Sequence, residues 1–192
     1  MSNSEQIRRI QLRESIESQC KSSIEEKITR YLEIEHQGII GGHYFSKAST
    51  ECIYLYRDGY FIAAVMMSHA INEGIIKFIT ERNHIDKQKK NGNTKTIEEL
   101  INEFKKRNII SDNCAEVSMK IWGSYRANIH HMNPLISKID FERIALQNIK
   151  CLSIIEREIF DYDVNKGTIA PHQPKYWDVN EDGTVTVFLR LE

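Results

Sequence analysis

The chain has 192 residues, of which 41% are hydrophobic and 28% charged, so its composition excludes wholesale disorder and suits one folded domain. The 26 lysines and arginines nearly balance the 27 acidic residues, and a net charge of -1 argues against a protein that coats DNA. The cysteines form no CxxC pair, which argues against a zinc knuckle or a thioredoxin-type redox site. No signal peptide and no stretch of about 20 apolar residues is evident, so we expect a cytoplasmic protein outside the membrane.

Residues 1–42 are predicted to form an N-terminal helical extension. Apolar residues recur there at every fourth position from Leu12 to Leu32. Because an α-helix turns about 100° per residue, this row winds around the helix, and a straight helix cannot bury all of it against one flat surface. The pattern therefore predicts a helix break, an oblique crossing or several partners that share the row. The segment GIIGGH, residues 38–43, is expected to end the helix and connect it to the next.

Residues 43–160 predict an all-α, up-and-down helical bundle. Helices are expected at 43–57, from Tyr60 to Arg82, after a capping box at Thr96, from Ser111 to just before Pro134, and from Asp140 onward. The helix from Tyr60 is apolar on nearly all sides, which predicts a place at the bundle centre. Its polar residues share one side and must find hydrogen-bond partners or face a cleft. These residues are His69, Asn72, Glu73 and Lys77.

Residues 161–192 are predicted to form a loop followed by a short β-hairpin. Apolar residues alternate with others from Thr184 to Leu191, and Asp182-Gly183 supplies a turn before them. Because an isolated hairpin is marginally stable in water, we expect this one to dock on the bundle or to pair with another chain.

The segment from Tyr125 to Pro134 carries the residues best suited to chemistry. It places Arg126 and two imidazoles, His130 and His131, within six residues near the end of a predicted helix. Arginine presents a planar fork of donors that suits phosphate oxygens, and histidine exchanges protons near neutral pH. Together they suffice to break an RNA phosphodiester bond without a metal or another cofactor, since the histidine moves protons while the arginine stabilises the phosphate charge.

This segment resembles the ribonuclease motif of the HEPN superfamily, an arginine and a histidine separated by four to six residues. Arg126 and His131 match with four residues between them, and LYRDGYFIAAVMMSHAINEGIIKFI resembles the first helical pair of the family. The resemblance covers roughly residues 43–160. It implies a helical homodimer that joins two motifs across one cleft. Enzymatic members are metal-independent endoribonucleases, often toxins or antiviral effectors, so the resemblance also implies an RNA substrate and a possible antitoxin or regulatory partner.

Carried to this chain, the resemblance implies that Arg126 holds the scissile phosphate and that His131 is the acid/base. The family often has Asn, Asp or His directly after the arginine, where this chain has Ala127, and Asn128 one position later is a secondary candidate. On a continuous helix, however, His130 would share the face of Arg126, and His131 would point about 140° away. Spacing therefore favours His131, whereas a regular helix through residue 131 favours His130. Glu73 and Asn72 are candidates to orient Arg126. Alternatively, the polar residues of this helix, including His69, form a buried polar network or a dimer contact.

A non-catalytic alternative uses the same residues. Arg126 would then pair with a carboxylate such as Glu73, and both histidines would cap the helix C-terminus, where a cation is favoured. The chain would be a helical module for dimerisation, nucleotide binding or partner control. An open cleft around Arg126 and a histidine favours the nuclease, and a sealed salt bridge favours the module.

Overall fold

A computed structural model describes residues 3–89 and 91–190 and shows a mainly helical fold with a few short strands. Its helices are α1 (Asn3–Ser22), α2 (Ile24–Leu32), α3 (Ser46–Arg57), α4 (Phe61–Arg82), α5 (Ile97–Lys106), α6 (Asp112–Trp122), α7 (Arg126–His130) and α8 (Phe141–Ile159). Its strands are β1 (Ile39–Gly41), β2 (Tyr162–Asn165), β3 (Thr168–Pro171) and β4 (Val187–Leu189). Short 3-10 turns span Pro134–Lys138 and Pro174–Tyr176. The helical prediction is confirmed at this level.

Helix α4 lies at the centre of the bundle, as its apolar composition predicts. It contacts α3, α5, α6 and α8. By length and composition it is also apolar enough to cross a membrane, but 61% of its most apolar window is buried inside the fold, which suits a core helix. Residues outside the bundle share its core, because Ile34, Ile40, Tyr176 and Trp177 are buried in the same hydrophobic cluster.

The predicted helix starts are confirmed by their caps. Thr96 and Glu99 form a reciprocal capping box before α5. Ser111 accepts a hydrogen bond from the Cys114 amide, and Asp140 accepts one from the Arg143 amide. These caps satisfy backbone N–H groups that the first turn of a helix leaves without partners.

The N-terminal extension breaks into two helices at Ser23, one of the outcomes that its apolar row allowed. Helix α2 packs against α3, whereas every residue of α1 from Ser4 to Ser22 is exposed. All six members of the apolar row are exposed: Leu12, Ile16, Cys20, Ile24, Ile28 and Leu32. The row therefore stays uncovered within one copy of the described chain.

The single helix predicted from Ser111 to Asn133 is wrong. Helix α6 ends at Trp122, and the chain turns at Gly123 to Tyr125 before α7 begins. Tyr125 adopts the left-handed conformation with φ of 57°, which a continuous right-handed helix excludes. The break reorients the segment that carries Arg126.

The C-terminal hairpin is confirmed only at its turn. The turn at 180–184 is closed by the bridge between Val179 and Val185 and by backbone hydrogen bonds from the Asn180 amide to the Thr184 carbonyl and from the Thr186 amide to the Asp178 carbonyl. Beyond this turn, strand β4 pairs antiparallel with β1, with Phe188 opposite Ile40. The segment predicted as a loop forms the hairpin β2–β3 instead. The connector at residues 38–43 is thus partly a strand, because it contains β1. Glycine suits position 41 because a Cβ there would lie 2.8 Å from the Phe160 ring.

The tail docks on the bundle, as predicted, and Val185 and Val187 face the core, but the predicted alternation fails at the end of the strand. Leu189 is 53% exposed, whereas Arg190 is buried and donates to Ser49 Oγ at 2.6 Å and to Glu156 Oε1 at 2.8 Å. The buried carboxylate supplies the counter-charge that lets an arginine enter the core. Leu191, the last apolar residue of the predicted alternation, lies outside the described residues.

Candidate functional site

The short helix α7 is held between two residues in the left-handed conformation, Tyr125 at its start and Met132 just beyond its end, with φ of 57° and 44°. At the C-terminal end, the Met132 amide donates to the Ile129 carbonyl and the Asn133 amide donates to the Asn128 carbonyl. This pair of bonds is a Schellman motif, which usually has glycine where Met132 stands. The backbone of α7 is therefore fixed at both ends.

An open cleft of about 650 Å³ lies along α7. Its lining residues come from the end of α6, the turn and α7: Trp122, Gly123, Tyr125, Arg126, Ala127, Asn128, His130 and His131. The structure thus brings together Arg126, Asn128 and both histidines of the predicted site. His130 and His131 are exposed, and Arg126 and Asn128 are half-buried.

The Arg126 guanidinium is oriented by two neighbours. Its Nη2 lies 3.4 Å from Glu73 Oε2, and its Cζ lies 4.8 Å from the centre of the Trp122 ring. The other Glu73 oxygen lies 2.8 Å from Lys77 Nζ. The Arg126 side chain keeps 37% of its surface exposed, so the ion pair does not seal it from the cleft. A carboxylate on one side and an indole face on the other leave the remaining N–H donors of Arg126 able to reach an anion.

The two histidines stand in different relations to Arg126. Arg126 and His130 are four residues apart on α7 and therefore share a helix face. His131 is the last residue before the left-handed Met132, and its amide still donates to the Ala127 carbonyl. The hydrogen bonding of the helix thus runs through residue 131, and on this geometry His130 is the histidine next to Arg126, although both imidazoles line the cleft.

A buried polar network beneath the cleft supports the turn before α7. His69 Nε2 donates to the Ser124 carbonyl at 2.8 Å, and Asn148 Nδ2 donates to Ser124 Oγ at 2.8 Å. Burial lowers the pKa of His69, and the nearby Arg126 and His130 lower it further, so the ring is neutral at physiological pH. His69 therefore acts on Arg126 only through Ser124 and the turn.

Asn72 does not contact Arg126. Its amide exchanges hydrogen bonds with Ser118, donating to the Ser118 carbonyl at 3.0 Å and accepting from Ser118 Oγ at 2.7 Å. Of the two α4 residues predicted to orient Arg126, Glu73 contacts it and Asn72 instead ties α4 to α6.

Trp122, Ser124 and Asn148 were not included in the candidate site predicted from the sequence. Trp122 precedes Arg126 by four residues, the spacing of neighbours on one helix face. Because the helix breaks at Gly123–Tyr125, this spacing does not account for the contact between the two side chains. The Gly-Ser pair at 123–124 was the available signal for a break. Nothing local in the sequence indicates Asn148, which reaches the turn from α8.

No group of three or more histidine, cysteine, aspartate or glutamate side chains suited to a metal occurs within residues 3–89 and 91–190. The candidate site offers the Arg126 guanidinium and the solvent-exposed imidazoles of His130 and His131. That set can bind a phosphate, stabilise negative charge that develops on it, and move protons to or from its oxygens.

No protein-family model matches the chain, and comparisons with curated proteins and with solved structures find no match either.

Proposed function

We propose that this chain is a metal-independent endoribonuclease of the HEPN type, possessing an HEPN-like bundle from residue 43 to residue 160. One observation supports the proposal above the others: Arg126, His130 and His131 line the same open cleft. In the proposed role the enzyme acts on RNA as a homodimer, in toxin–antitoxin or antiviral systems, under the control of an antitoxin or another regulatory partner.

The proposed reaction uses the 2′-hydroxyl of the RNA as its nucleophile. One imidazole takes the 2′-hydroxyl proton while a bond forms between that oxygen and phosphorus. The bond from phosphorus to the 5′-oxygen breaks, and a protonated imidazole gives that oxygen a proton. Arg126 holds the phosphate and stabilises the charge on its non-bridging oxygens. The products are a 2′,3′-cyclic phosphate and a 5′-hydroxyl, so atoms and protons balance without a metal.

The test is cleavage of a mixed RNA population by purified protein in EDTA. Arg126→Ala is expected to lower the rate at least 100-fold, the scale typical of losing one charge-stabilising donor. His130→Ala and His131→Ala, assayed separately, identify the acid/base group, and we expect the larger loss at His130 because it shares the face of Arg126.

Two matched controls guard against a co-purified ribonuclease and against damage to the fold. Arg143 is an exposed arginine at the start of α8, and Arg143→Ala should leave cleavage unchanged. His84 is exposed with φ of 51°, so His84→Asn removes an imidazole where asparagine tolerates the backbone. Cleavage that survives in Arg126→Ala and in both cleft-histidine variants would overturn the assignment.

Two observations favour the non-catalytic alternative, a helical dimerisation, nucleotide-binding or partner-interaction module. Arg126 already has a carboxylate partner in Glu73, and apolar side chains are exposed around α7, with Met132 77% and Leu135 53% accessible. Two results together would support this alternative. The wild-type protein would cleave no RNA, and substitution of Met132 and Leu135 by glutamate would change the molar mass of the assembly in solution.

A further inference from the structure

Helix α1 carries apolar side chains that nothing in one copy of the described chain covers. Leu12 is 59% exposed and Ile16 is 51% exposed, and Cys20 continues their row as an exposed thiol. At about 1.5 Å per residue, this 20-residue helix extends about 30 Å. In proteins, most of the stability of a helix comes from packing of its apolar side chains rather than from helix propensity, so α1 needs a packing partner.

The row defines one face of α1. Leu12, Ile16 and Cys20 are spaced by four residues, so they lie within about 80° of one another around the helix. Ile7, 51% exposed, lies about 180° from Ile16 and belongs to the opposite face. The face of Leu12, Ile16 and Cys20 is hereafter the α1 stripe.

The charges flanking the α1 stripe are divided along the chain. Residues 4–13 contain three arginines and one acidic residue, whereas residues 14–26 contain four glutamates and one lysine. Parallel packing of two copies would place like charges together. Antiparallel packing would place the basic half of each helix along the acidic half of the other, and opposite charges across an interface favour that orientation.

We propose that α1 pairs antiparallel with α1 of a second copy of this chain, about a twofold axis near Ile16. This axis sets Ile16 against its own counterpart and Leu12 against Cys20 of the other copy, so the α1 stripe becomes buried on both sides. The same axis brings Arg8 and Arg9 to the first turn of the other α2, where Glu25 and Glu26 lie. The interface uses no residue of the Arg126 cleft, and it stands whether or not the chain cleaves RNA.

Sedimentation equilibrium of the full chain tests the pairing. Ile16→Glu places a charge at the centre of the interface and is expected to weaken self-association at least tenfold. Ile7→Glu, with the same change on the opposite face of α1, is expected to leave self-association within twofold of wild type. A wild-type monomer at 100 µM, or an equal effect of both variants, would overturn the proposal.

Charge reversal tests the orientation. Arg8→Glu with Arg9→Glu is expected to weaken association, as is Glu25→Arg with Glu26→Arg, because each places like charges across the interface. Combining all four substitutions should restore association to within threefold of wild type. A quadruple variant that associates no more strongly than either double variant would contradict the antiparallel contacts.

Disulfide trapping tests the register. In a Cys20→Ser background, Ile16→Cys is expected to cross-link two copies on mild oxidation, because residue 16 faces its own counterpart. Wild-type Cys20 should not cross-link, since antiparallel pairing separates the two Cys20 positions by about 12 Å along the axis, beyond disulfide reach. Cys52, Cys114 and Cys151 are buried and do not compete. Efficient cross-linking through Cys20 would indicate parallel pairing and overturn the proposal.

Discussion

Arg126 and Glu73 form an ion pair between α7 and the central helix α4, with 3.4 Å between Nη2 and Oε2. Glu73 also lies 2.8 Å from Lys77. The pair ties the short helix of the cleft to the helix at the centre of the bundle. Because 37% of the Arg126 side chain stays exposed, the ion pair restricts its orientation and leaves it accessible to an anion.

Removing Glu73 is therefore expected to reduce the proposed RNA cleavage without abolishing it. Glu73→Ala should lower kcat/KM about tenfold, equivalent to about 1.4 kcal/mol, because Arg126 loses the contact that orients it. Lys77→Ala is the matched control, since Lys77 touches Glu73 but has no contact with Arg126, and it should stay within twofold of wild type. Faster cleavage by Glu73→Ala would mean that Glu73 restrains Arg126 instead of orienting it.

Replacing Met132 by glycine is expected to stabilise the fold. Met132 has φ of 44° and is 77% exposed, so glycine relieves the left-handed backbone with little loss of packing. The expected gain in unfolding free energy is about 0.5–1 kcal/mol, measured by urea denaturation. Met132→Ala keeps a Cβ at this position and should bring no gain. A glycine variant less stable than the alanine variant would contradict the assigned C-terminal motif.

The buried pair of Arg190 and Glu156 is expected to dominate docking of the C-terminal strand. Each side chain is 2% exposed. Arg190→Met should lower the unfolding free energy by about 3–5 kcal/mol, because it leaves Glu156 buried without a counter-charge. Adding Glu156→Leu should recover most of that loss, since no unpaired charge then remains. Urea denaturation of both variants measures the difference, and a double variant no more stable than Arg190→Met would refute the explanation.

His43 is expected to make the fold sensitive to acid. Burial, aided by Arg190 and Arg82, lowers its pKa to about 3, and its ring stacks on Phe160 with 4.7 Å between centroids. The unfolded chain binds a proton near pH 6.5 and the folded chain does not, so stability is full above about pH 6.5 and falls as the pH drops toward 3. The loss attributable to His43 is about 5 kcal/mol at most.

A variant without the imidazole isolates this effect. His43→Phe keeps an aromatic ring among its aromatic neighbours and should flatten the decline between pH 6 and pH 4, measured by urea denaturation at each pH. An unchanged decline in His43→Phe would assign the acid sensitivity to other groups.

Helix-scale features could be predicted because their causes are local. The capping box at Thr96, the cap at Ser111 and the apolar faces of α4 depend on residues within a few positions of one another. The break at Gly123–Tyr125 was harder, because Tyr125 adopts a left-handed conformation that aromatic residues rarely take, and the network through Asn148 supports it from α8.

The strand pairing and the buried charge of the tail could not be predicted, because both depend on residues far away in the sequence. Strand β4 finds its partner in β1, about 150 residues earlier, and no turn links them. The alternation predicted the inner face correctly at Val185 and Val187 but not at Leu189, since Glu156 on α8 pairs with Arg190 in the interior. In the cleft, Arg126, His130 and His131 lie together because they are close in sequence, whereas the contact of Arg126 with Trp122 depends on the turn between α6 and α7.

The chemistry at the ends of cleaved RNA tests the central claim most directly. Wild-type protein in EDTA should yield 2′,3′-cyclic phosphates and 5′-hydroxyls, and a single 2′-deoxy substitution at the cleaved nucleotide should block the cut, because the proposed nucleophile is the 2′-hydroxyl. Arg126→Ala prepared in parallel should yield neither product. Products with 5′-phosphates, cleavage that requires a divalent cation, or efficient cutting at the 2′-deoxy position would contradict a nuclease built from Arg126 and its neighbouring histidines.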